Sequence, residues 1–434
     1  MFDKTNIITV IGAQLGDEGK GRITDFLARN ADFVVRFCGG NNAGHTVINE
    51  HGEMRFHIVP VGAMYTGTVN IIGSGAFVHI PTLLSELEDL RKLGISAPTL
   101  FISKKAHIVM PWHIMQDELE EAKRNSDSKI GTTKRGMGPV AADKYARKGI
   151  RIGDLLDLAA LRPRFNNIYA EKEAIIRRIY YYAGFFPFAH KIFEELTGQA
   201  DQIKDFITDT EPMLWAAVAE NKNVLLEGAQ AALLDIDYGT YPFCTSSPCG
   251  SAQAAHGSGL SPDVIAHGEV IGVVKAYPTR IGSGAFSTRM NSDMDERIRK
   301  KGKEYGATTG RPRMCGWIDL PLLQYAAKLS GYTSIAITKL DILSGVKEIK
   351  VGIGYECGEH QDCKYYACGL AGKSARYITI PGWRKDLRGV RRFVDLPPNA
   401  QKYIELIEGA CGAPAHFISV GPARDEIIVR EKID

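Results

Sequence analysis

The chain has 434 residues, and its 53 lysines and arginines are nearly balanced by 50 aspartates and glutamates, leaving a net charge of +3. This balance is too even to suggest nucleic-acid binding through bulk charge, so we expect no nucleic-acid partner. No apolar stretch reaches the roughly 18 residues that a membrane-spanning helix requires, so we expect no membrane partner either.

The first predicted element is a strand over residues 7–11, which is apolar, β-branched and followed at once by a glycine-dense loop. The loop opens into an amphipathic helix predicted over residues 22–30. In such a strand–turn–helix unit, backbone N–H groups and a lysine, here Lys20, receive phosphate oxygens. The spacing is not that of the ordinary P-loop, because Gly21 stands where a magnesium-binding Ser or Thr would follow the lysine. Asp17 is the substitute hard oxygen ligand; the alternative is a glycine-rich turn with a surface lysine.

Further polar, glycine-rich loops follow predicted strands along the chain. Such loops carry substrate-binding groups on a rigid scaffold, and a single nucleotide does not require so many of them. The loops cover residues 39–46 after a predicted strand at 33–37, residues 131–139 leading to Arg147, residues 227–230, 235–242 and 245–247 after a predicted strand at 223–226, and residues 306–313.

A later predicted strand, residues 333–337, runs directly into Thr338-Lys339-Leu340-Asp341. A lysine and an aspartate two apart at the end of a parallel strand form the guanine-reading device of GTP-binding proteins. The carboxylate accepts the guanine N1–H and 2-amino group through charge-assisted hydrogen bonds of roughly 1.5–3 kcal/mol each, which adenine does not offer. A regulatory GTPase fits both devices in one small domain, whereas Lys20 and Asp341 are separated by most of this chain.

The eight cysteines are interpreted as reduced thiols. One cluster, Cys357, His360, Cys363 and Cys368, has residue types that zinc accepts, but its spacing is irregular and lacks a paired Cys-x-x-Cys. We favour a surface hairpin with ordinary cysteines and keep zinc as the alternative.

These motifs, in this order, resemble the adenylosuccinate synthetase family, and the similarity covers essentially the whole chain. The family condenses IMP with L-aspartate, using GTP and Mg²⁺, to give adenylosuccinate, GDP and phosphate. The resemblance implies an α/β fold: one large domain, residues 1–434, around a central, mostly parallel sheet with a variant P-loop and helical subdomains. The absence of a linker, repeat or low-complexity tract agrees with a single unit, and we expect it in the cytoplasm. The motifs are Gly-Asp-Glu-Gly-Lys-Gly at 16–21, Asn-Ala-Gly-His-Thr at 42–46, Ile-Gly-Thr-Thr at 130–133, Arg-Gly-Met-Gly-Pro at 135–139, Glu-Gly-Ala-Gln at 227–230, Gly-Ala-Thr-Thr-Gly-Arg at 306–311, Thr-Lys-Leu-Asp at 338–341 and Ser-Val-Gly-Pro at 419–422.

The resemblance also implies roles for individual residues. Asp17 is expected to take the N1 proton of IMP and to bind magnesium together with the carbonyl of Gly44. His45 is expected to stabilise the transferring phosphoryl group and to act as a general acid, with Lys20 as the third catalytic residue. The residues expected to bind GTP are Gly19, Lys20, Gly21, Lys339, Asp341, Ser419 and Gly421.

The acceptor and amino-acid sites follow in the same way. The resemblance implies a homodimer, because Arg147 matches an arginine that reaches the IMP of the neighbouring subunit. The residues expected at IMP are Asn42, Thr133, Arg147, Gln230 and Thr245. Those expected at L-aspartate are Thr308, Thr309, Arg311 and Arg313.

Several positions depart from the family pattern beside the acceptor site, although the catalytic and guanine-reading residues are kept. Two alternatives therefore remain open at this stage: a related synthetase that aminates dGMP, and a GTP-binding switch protein without ligase activity. The departures are Leu15, Asn41, Lys134, Ala231, Met314 and residues 287–289.

Overall fold

The computed structural model describes residues 6–95, 97–125, 128–306, 310–357, 360–363 and 373–430. The strands within these residues are β1 Ile7–Gly12, β2 Phe33–Arg36, β3 His45–Asn49, β4 Gly52–Phe56, β5 Val69–Ile72, β6 Phe77–Val78, β7 Leu100–Ser103, β8 His107–Ile108, β9 Ile207–Thr208, β10 Val224–Glu227, β11 Glu269–Lys275, β12 Thr279–Arg280, β13 Met314–Cys315, β14 Ile318–Asp319, β15 Ser334–Thr338, β16 Glu348–Cys357, β17 His360–Cys363, β18 Ala375–Pro381, β19 Ala415–Ser419 and β20 Ile427–Val429. The helices are α1 Lys20–Ala28, α2 Ile80–Lys92, α3 Pro111–Lys123, α4 Met137–Tyr145, α5 Leu158–Ala174, α6 Ala189–Ile203, α7 Thr210–Ala219, α8 Ser251–Ser258, α9 Pro262–Ala266, α10 Ser292–Gly302, α11 Leu320–Ser330 and α12 Pro398–Cys411.

The centre of the fold is a ten-stranded sheet with the strand order β20-β19-β15-β11-β1-β10-β2-β5-β7-β9. Every neighbouring pair is parallel except β19 and β20. The predicted α/β class with a mostly parallel central sheet is therefore confirmed. Strands buried on both faces are expected to be largely apolar, as β1 is apart from the buried Thr9.

β1 shows why this sequence forms a central strand. Its side chains alternate between two apolar clusters, as the two-residue period of a strand requires. Ile8 and Val10 pack with Ile23 of α1, whereas Ile7 and Ile11 face the cluster on the opposite side of the sheet. Parallel pairing with β10 and β11 holds β1 in register and so sets where its carboxyl end releases the glycine-rich loop.

The predicted boundaries were close, with small differences. The helix expected at 22–30 spans Lys20–Ala28, because Gly19 adopts φ 86° and starts the helix two residues earlier. The strand expected at 223–226 spans Val224–Glu227, which places the Glu227 side chain inside the sheet. His45 opens the hairpin β3–β4, a feature that the sequence analysis treated as a loop.

Smaller sheets lie outside the main one. β16 pairs antiparallel with both β17 and β18, so the predicted hairpin at Cys357 is present as paired strands. Among the helices of the described residues, none has the length and apolar character needed to cross a membrane.

The order of the strands brings the predicted loops together. β15, β11, β1, β10 and β2 are consecutive neighbours and run in the same direction. Their carboxyl ends therefore meet at one edge of the sheet, where binding sites of open α/β sheets form. We propose a single domain for the chain because this one sheet draws its strands from both ends of the sequence, Ile7–Gly12 and Ile427–Val429.

Candidate active site

The loop after β1 turns through residues in the left-handed region, with φ 90° at Gly16, 60° at Asp17 and 86° at Gly19. Two other glycines are required by close contacts. A Cβ on Gly12 would lie 2.6 Å from the carbonyl oxygen of Gln230, and a Cβ on Gly21 would lie 2.9 Å from the Cβ of His45. The loop thus packs directly against two other predicted regions of the site.

The loop holds an anion that the chain itself supplies. The buried carboxylate of Glu18 accepts hydrogen bonds from the backbone N–H of Gln14, at 3.1 Å, and of Gly16, at 2.8 Å. Its other oxygen accepts from Nζ of Lys20 at 2.8 Å. Backbone amides and a lysine at a helix N-terminus are the groups that bind phosphate, and here they bind a carboxylate. The sequence analysis assigned no role to Glu18.

Asp17 is held at the opening of the loop, where its side chain keeps 35% exposure. Its Oδ2 pairs with Nε of Arg313 at 2.8 Å. A guanidinium beside a carboxylate favours the ionised form and restricts its orientation. Two residues that were expected at different substrates, Asp17 and Arg313, are therefore direct partners in the structure.

His45 is buried beside α1, and its Nδ1 lies 2.6 Å from Oε1 of Glu227. Burial, with a smaller contribution from Arg36, lowers the pKa of His45 to about 4, although Glu227 opposes this shift. The imidazole is therefore neutral near pH 7. Because the ionised Glu227 can only accept at Nδ1, we assign the proton to Nδ1, which leaves the lone pair on Nε2.

Glu227 fixes this arrangement from the end of β10. Its carboxylate also pairs with Arg36 of β2 at 2.8 Å and accepts from the backbone N–H of Val61 at 2.9 Å. Burial raises the pKa of Glu227, but Arg36 and His45 outweigh burial, so the pKa is lowered overall. The sequence analysis gave Glu227 and Arg36 no role; the available signal was a charged residue at the end of each buried, apolar strand.

Three of the residues predicted at IMP form one hydrogen-bonded chain. Nε2 of Gln230 donates to Oδ1 of Asn42 at 3.0 Å, and Nδ2 of Asn42 donates to Oγ1 of Thr245 at 3.4 Å. Oε1 of Gln230 is buried and has no hydrogen-bond partner among the described residues. A buried acceptor without a donor is costly unless a ligand or water satisfies it, so this cluster has the character of a polar binding surface.

The remaining residues predicted at IMP and at aspartate are placed less closely together. Thr133 is half-buried in the loop before α4, and α4 begins beside Ser246, since a Cβ on Gly138 would lie 3.5 Å from its Oγ. Arg147 is exposed just beyond α4, with φ 62°. Arg311 donates from Nη2 to the carbonyl of Gly131 at 3.1 Å, which joins the two loops. Thr308 and Thr309 lie outside the described residues.

The predicted guanine device lies at the end of β15. Lys339 has φ 57°, and its Nζ donates to the carbonyl of Gly302 and to Oε1 of Glu304, both at 2.7 Å. Burial raises the pKa of Asp341, with Lys301 and Lys339 acting in the opposite direction. The Ser-Val-Gly-Pro motif at 419–422 contacts helix α1, which follows the glycine-rich loop. Arg22 of α1 donates to Oγ of Ser419 at 2.6 Å and to the carbonyl of Gly421.

Glu304 joins the end of β15 to Arg313, because it accepts hydrogen bonds from both Lys339 and Arg313. This buried acidic residue was not identified from the sequence. Its Oε1 accepts from Lys339 and from the hydroxyl of Tyr277, at 2.7 and 2.8 Å. Its Oε2 accepts from Nζ of Lys275 at 3.0 Å and from Nη1 of Arg313 at 2.8 Å. Burial raises the pKa of Glu304, but the three cations outweigh it and hold the pKa well below its usual range. Burial lowers the pKa of Lys275 to about 8, against the effect of Glu304.

The structure bears on the predicted Mg²⁺ site at Asp17 but not on the zinc alternative at the Cys357 cluster. No group of three or more His, Cys, Asp or Glu side chains in the described part of the chain is arranged to hold a metal. Mg²⁺ is commonly held by one or two carboxylates together with substrate phosphates, and the partly open carboxylate of Asp17 fits that use. The zinc alternative stays a prediction, because Cys368 and the side chains of Cys357, His360 and Cys363 lie outside what the structure describes.

Comparisons with known proteins agree across nearly the full length. A model of the adenylosuccinate synthetase family matches residues 9–428. Adenylosuccinate synthetases of Halothermothrix orenii and Heliobacterium modesticaldum are each 45% identical, over 98% and 97% of this chain and 98% of each relative. The fully ligated adenylosuccinate synthetase of Plasmodium falciparum superposes with a TM-score of 0.89 at 35% identity, covering 98% of this chain and 100% of that one.

A more distant structure shares the fold. The succinoaminodeoxyadenylate synthetase of cyanophage S-2L, bound to dGMP and dATP, has a TM-score of 0.59 at 18% identity. The comparison covers 98% of this chain and 95% of the phage chain.

Proposed function

Because the chain belongs to the adenylosuccinate synthetase family, we propose that it joins IMP to L-aspartate with GTP, releasing adenylosuccinate, GDP and phosphate. The observation that carries this proposal is the meeting of three groups at one sheet edge. These are the anion-binding loop with Lys20, the guanine device at Lys339 and Asp341, and the amide cluster of Asn42 and Gln230. A GTP-binding switch would need only the first two.

The first step activates O6 of IMP. Asp17 accepts the N1 proton, the freed electron pair moves to O6, and O6 attacks the γ-phosphorus of GTP while the bond to GDP breaks. The pairing with Arg313 supports this role because it fixes the orientation of the carboxylate. A general base positioned in this way contributes about 10²–10⁴-fold to rate. Lys20 and the loop amides would stabilise the charge on the phosphates of GTP.

His45 acts on the phosphoryl group. In the free protein it is neutral, with Nδ1 bonded to the ionised Glu227. An anionic phosphoryl group nearby raises the pKa of the imidazole, so Nε2 takes up a proton and donates it to a phosphoryl oxygen. In the second step the amino nitrogen of aspartate attacks C6 and loses a proton to water, and the phosphate leaves with the electrons of the C6–O bond. The proton of His45 neutralises that leaving group.

The residues that would hold Mg²⁺ are Asp17, through its carboxylate, and Gly44, through its carbonyl. Bound there, the ion would neutralise charge on the phosphates of GTP. Asp17 can both accept the N1 proton and bind Mg²⁺ because its side chain remains partly open to solvent.

We propose IMP rather than dGMP as the acceptor. The relatives at 45% identity are named adenylosuccinate synthetases, whereas the phage enzyme crystallised with dGMP is only 18% identical. The Gln230–Asn42–Thr245 chain, the loop at Thr133 and Arg311 are the proposed acceptor and aspartate contacts. We further propose a homodimer in which the exposed Arg147 enters the site of the neighbouring subunit, and a location in the cytoplasm.

The test is phosphate release from GTP in reactions that omit one component at a time. We expect release only when IMP, L-aspartate, GTP and Mg²⁺ are all present, with adenylosuccinate formed in equal amount. The value of kcat/KM for IMP should exceed that for dGMP at least tenfold, since burying an amino group without an acceptor costs roughly 1–3 kcal/mol. Phosphate release without IMP and aspartate would contradict ligase activity, and a preference for dGMP would overturn only the acceptor.

A further inference from the structure

Glu304 stands between the two ends of the proposed GTP site. On one side it accepts from Lys339, which belongs to the proposed guanine device. On the other side it accepts from Arg313, whose Nε pairs with Asp17. These contacts form a continuous series of alternating charges: Asp17, Arg313, Glu304 and Lys339. The series runs from the reacting end of the site to the guanine end.

This series of charges depends on the carboxylate of Glu304. Glu304 is completely buried, and three cations converge on its two oxygens, with the neutral hydroxyl of Tyr277 as a fourth donor. Lys275 and Arg313 are also buried. Buried ion pairs are stable only while every member is present, because removing one leaves the others desolvated and repelling. Without the carboxylate, Lys339 and Arg313 lose the hydrogen-bond acceptor that they share.

The local backbone is built to keep this carboxylate in place. Gly302, the last residue of α10, has no room for a side chain, because a Cβ would lie 2.3 Å from the hydroxyl of Tyr277. The backbone N–H of Arg313 donates to the carbonyl of Glu304 at 3.0 Å, and Nε of Arg299 donates to the carbonyl of Arg313 at 2.8 Å. Glu304 and Arg313 are thus joined through their backbones as well as through their side chains.

We propose that Glu304 is a positioning residue that couples guanine binding at Lys339 to the orientation of Asp17 through Arg313. This inference rests on the proposed function for the roles of Lys339 and Asp17. The proposal implies that a substitution of Arg313 changes the affinity for GTP only while the carboxylate of Glu304 is present.

A double-mutant cycle read in binding tests the coupling. The affinity for GTP in the presence of Mg²⁺ is measured by titration calorimetry for the wild type, Glu304→Gln, Arg313→Gln and the double variant. We expect Glu304→Gln to weaken GTP binding about tenfold and Arg313→Gln at least threefold. In the Glu304→Gln background, Arg313→Gln should change the affinity less than 1.5-fold. Effects that simply multiply would overturn the coupling.

Two controls separate positioning from general destabilisation. Tyr277→Phe removes one neutral donor from the same carboxylate and should change the GTP affinity less than threefold. Glu269→Gln alters another buried carboxylate, which binds Ser334 at 2.6 Å and His416 at 3.1 Å in the sheet. It should lower Tm without changing GTP affinity. An equal loss of GTP affinity in Glu269→Gln and Glu304→Gln at equal loss of Tm would overturn the proposal.

A second cycle covers the case in which Glu304→Gln does not fold. Lys339→Met and Arg313→Gln are combined with Glu304 intact. Their effects on GTP affinity should be strongly non-multiplicative, because Glu304 accepts hydrogen bonds from both side chains. Independent effects would overturn the proposal. Because both cycles measure binding, a wild-type protein that binds GTP but forms no adenylosuccinate would refute the proposed function alone.

Discussion

At the scale of single residues, the site combines a rigid carboxylate with a neutral imidazole. Asp17 occupies a left-handed conformation, φ 60°, that Asp tolerates better than most residues. This conformation directs the side chain out of the loop, where Arg313 holds one oxygen. Glu227 does the equivalent for His45 by fixing one ring nitrogen. Each proposed catalytic group thus has a partner that sets its orientation before substrate arrives.

The first residue-scale prediction concerns Asp17→Asn. The amide is nearly the same size, so the loop should keep its shape and Tm should change by only a few degrees. The rate of adenylosuccinate formation should fall about 10²–10⁴-fold, because an amide cannot accept the N1 proton. The matched control is Asp209→Asn, which alters a surface carboxylate paired with Lys104 at 2.8 Å. Activity above a tenth of the wild-type rate in Asp17→Asn would contradict the role of base.

The sequence identified residues that lie together where their side chains stand in motif loops, and it missed buried residues that act through a partner. Asn42, Gln230 and Thr245 were named from three separate loops, and the structure places them in contact. Glu304 and Lys275 were missed because their significance depends on burial and on each other. A lysine ending the apolar strand Glu269–Lys275 was the one signal available in advance.

At the scale of elements, α1 and β3 are in close contact in the site, because a Cβ on Gly21 would lie 2.9 Å from the Cβ of His45. Residue patterns located β1, β2, β10 and β15 within one or two positions, because each is a short apolar run ending in a polar loop. The hairpin β3–β4 escaped prediction because neither strand is a continuous apolar run: Val47 and Met54 are buried, but Thr46 and Arg55 beside them are polar and exposed. Its position depends on the close approach of His45 to α1 at Gly21, a tertiary contact.

This contact leads to the element-scale prediction. In Gly21→Ala, the new methyl would lie 2.9 Å from Cβ and 3.1 Å from Cα of His45, so β3 must move away from α1. We expect a loss of adenylosuccinate formation of at least tenfold and a lower Tm. The control is Gly198→Ala in α6, where a Cβ meets nothing within 4 Å. That variant should be stabilised by about 0.5–1 kcal/mol, because alanine is the better helix former. Equal activities of the two variants would refute the steric argument.

At the scale of the whole molecule, the proposed site collects segments from residue 12 to residue 421. The strand order explains how this happens, because β1 lies between two strands from the second half of the chain. The sequence indicated that the polar loops converge, but not which loops are neighbours, because strand order is not encoded in any local pattern. We propose that the exposed Arg147 acts in the site of a second copy of the chain.

Subunit mixing tests that proposal. Arg147→Leu and Asp17→Ala proteins should each be nearly inactive alone. In a mixed dimer, the site that keeps Asp17 would receive Arg147 from the other subunit, so one complete site forms. Equal mixing with free exchange should restore about a quarter of wild-type activity, since half of the dimers are mixed and each has one working site. No recovery despite exchange demonstrated by native mass spectrometry would contradict a shared site.

The central position of β1 has a consequence for how the chain folds. β1 leaves the ribosome long before its two neighbours, Val224–Glu227 and Glu269–Lys275, are synthesised. At about 5–20 residues per second, this strand waits roughly 10–45 s before its first partner is synthesised. Contacts of such long sequence separation slow folding, and until they form, both edges of an apolar strand stay unpaired. The central position of β1, which sets the glycine-rich loop at the edge of the sheet, therefore makes the nascent chain prone to aggregation.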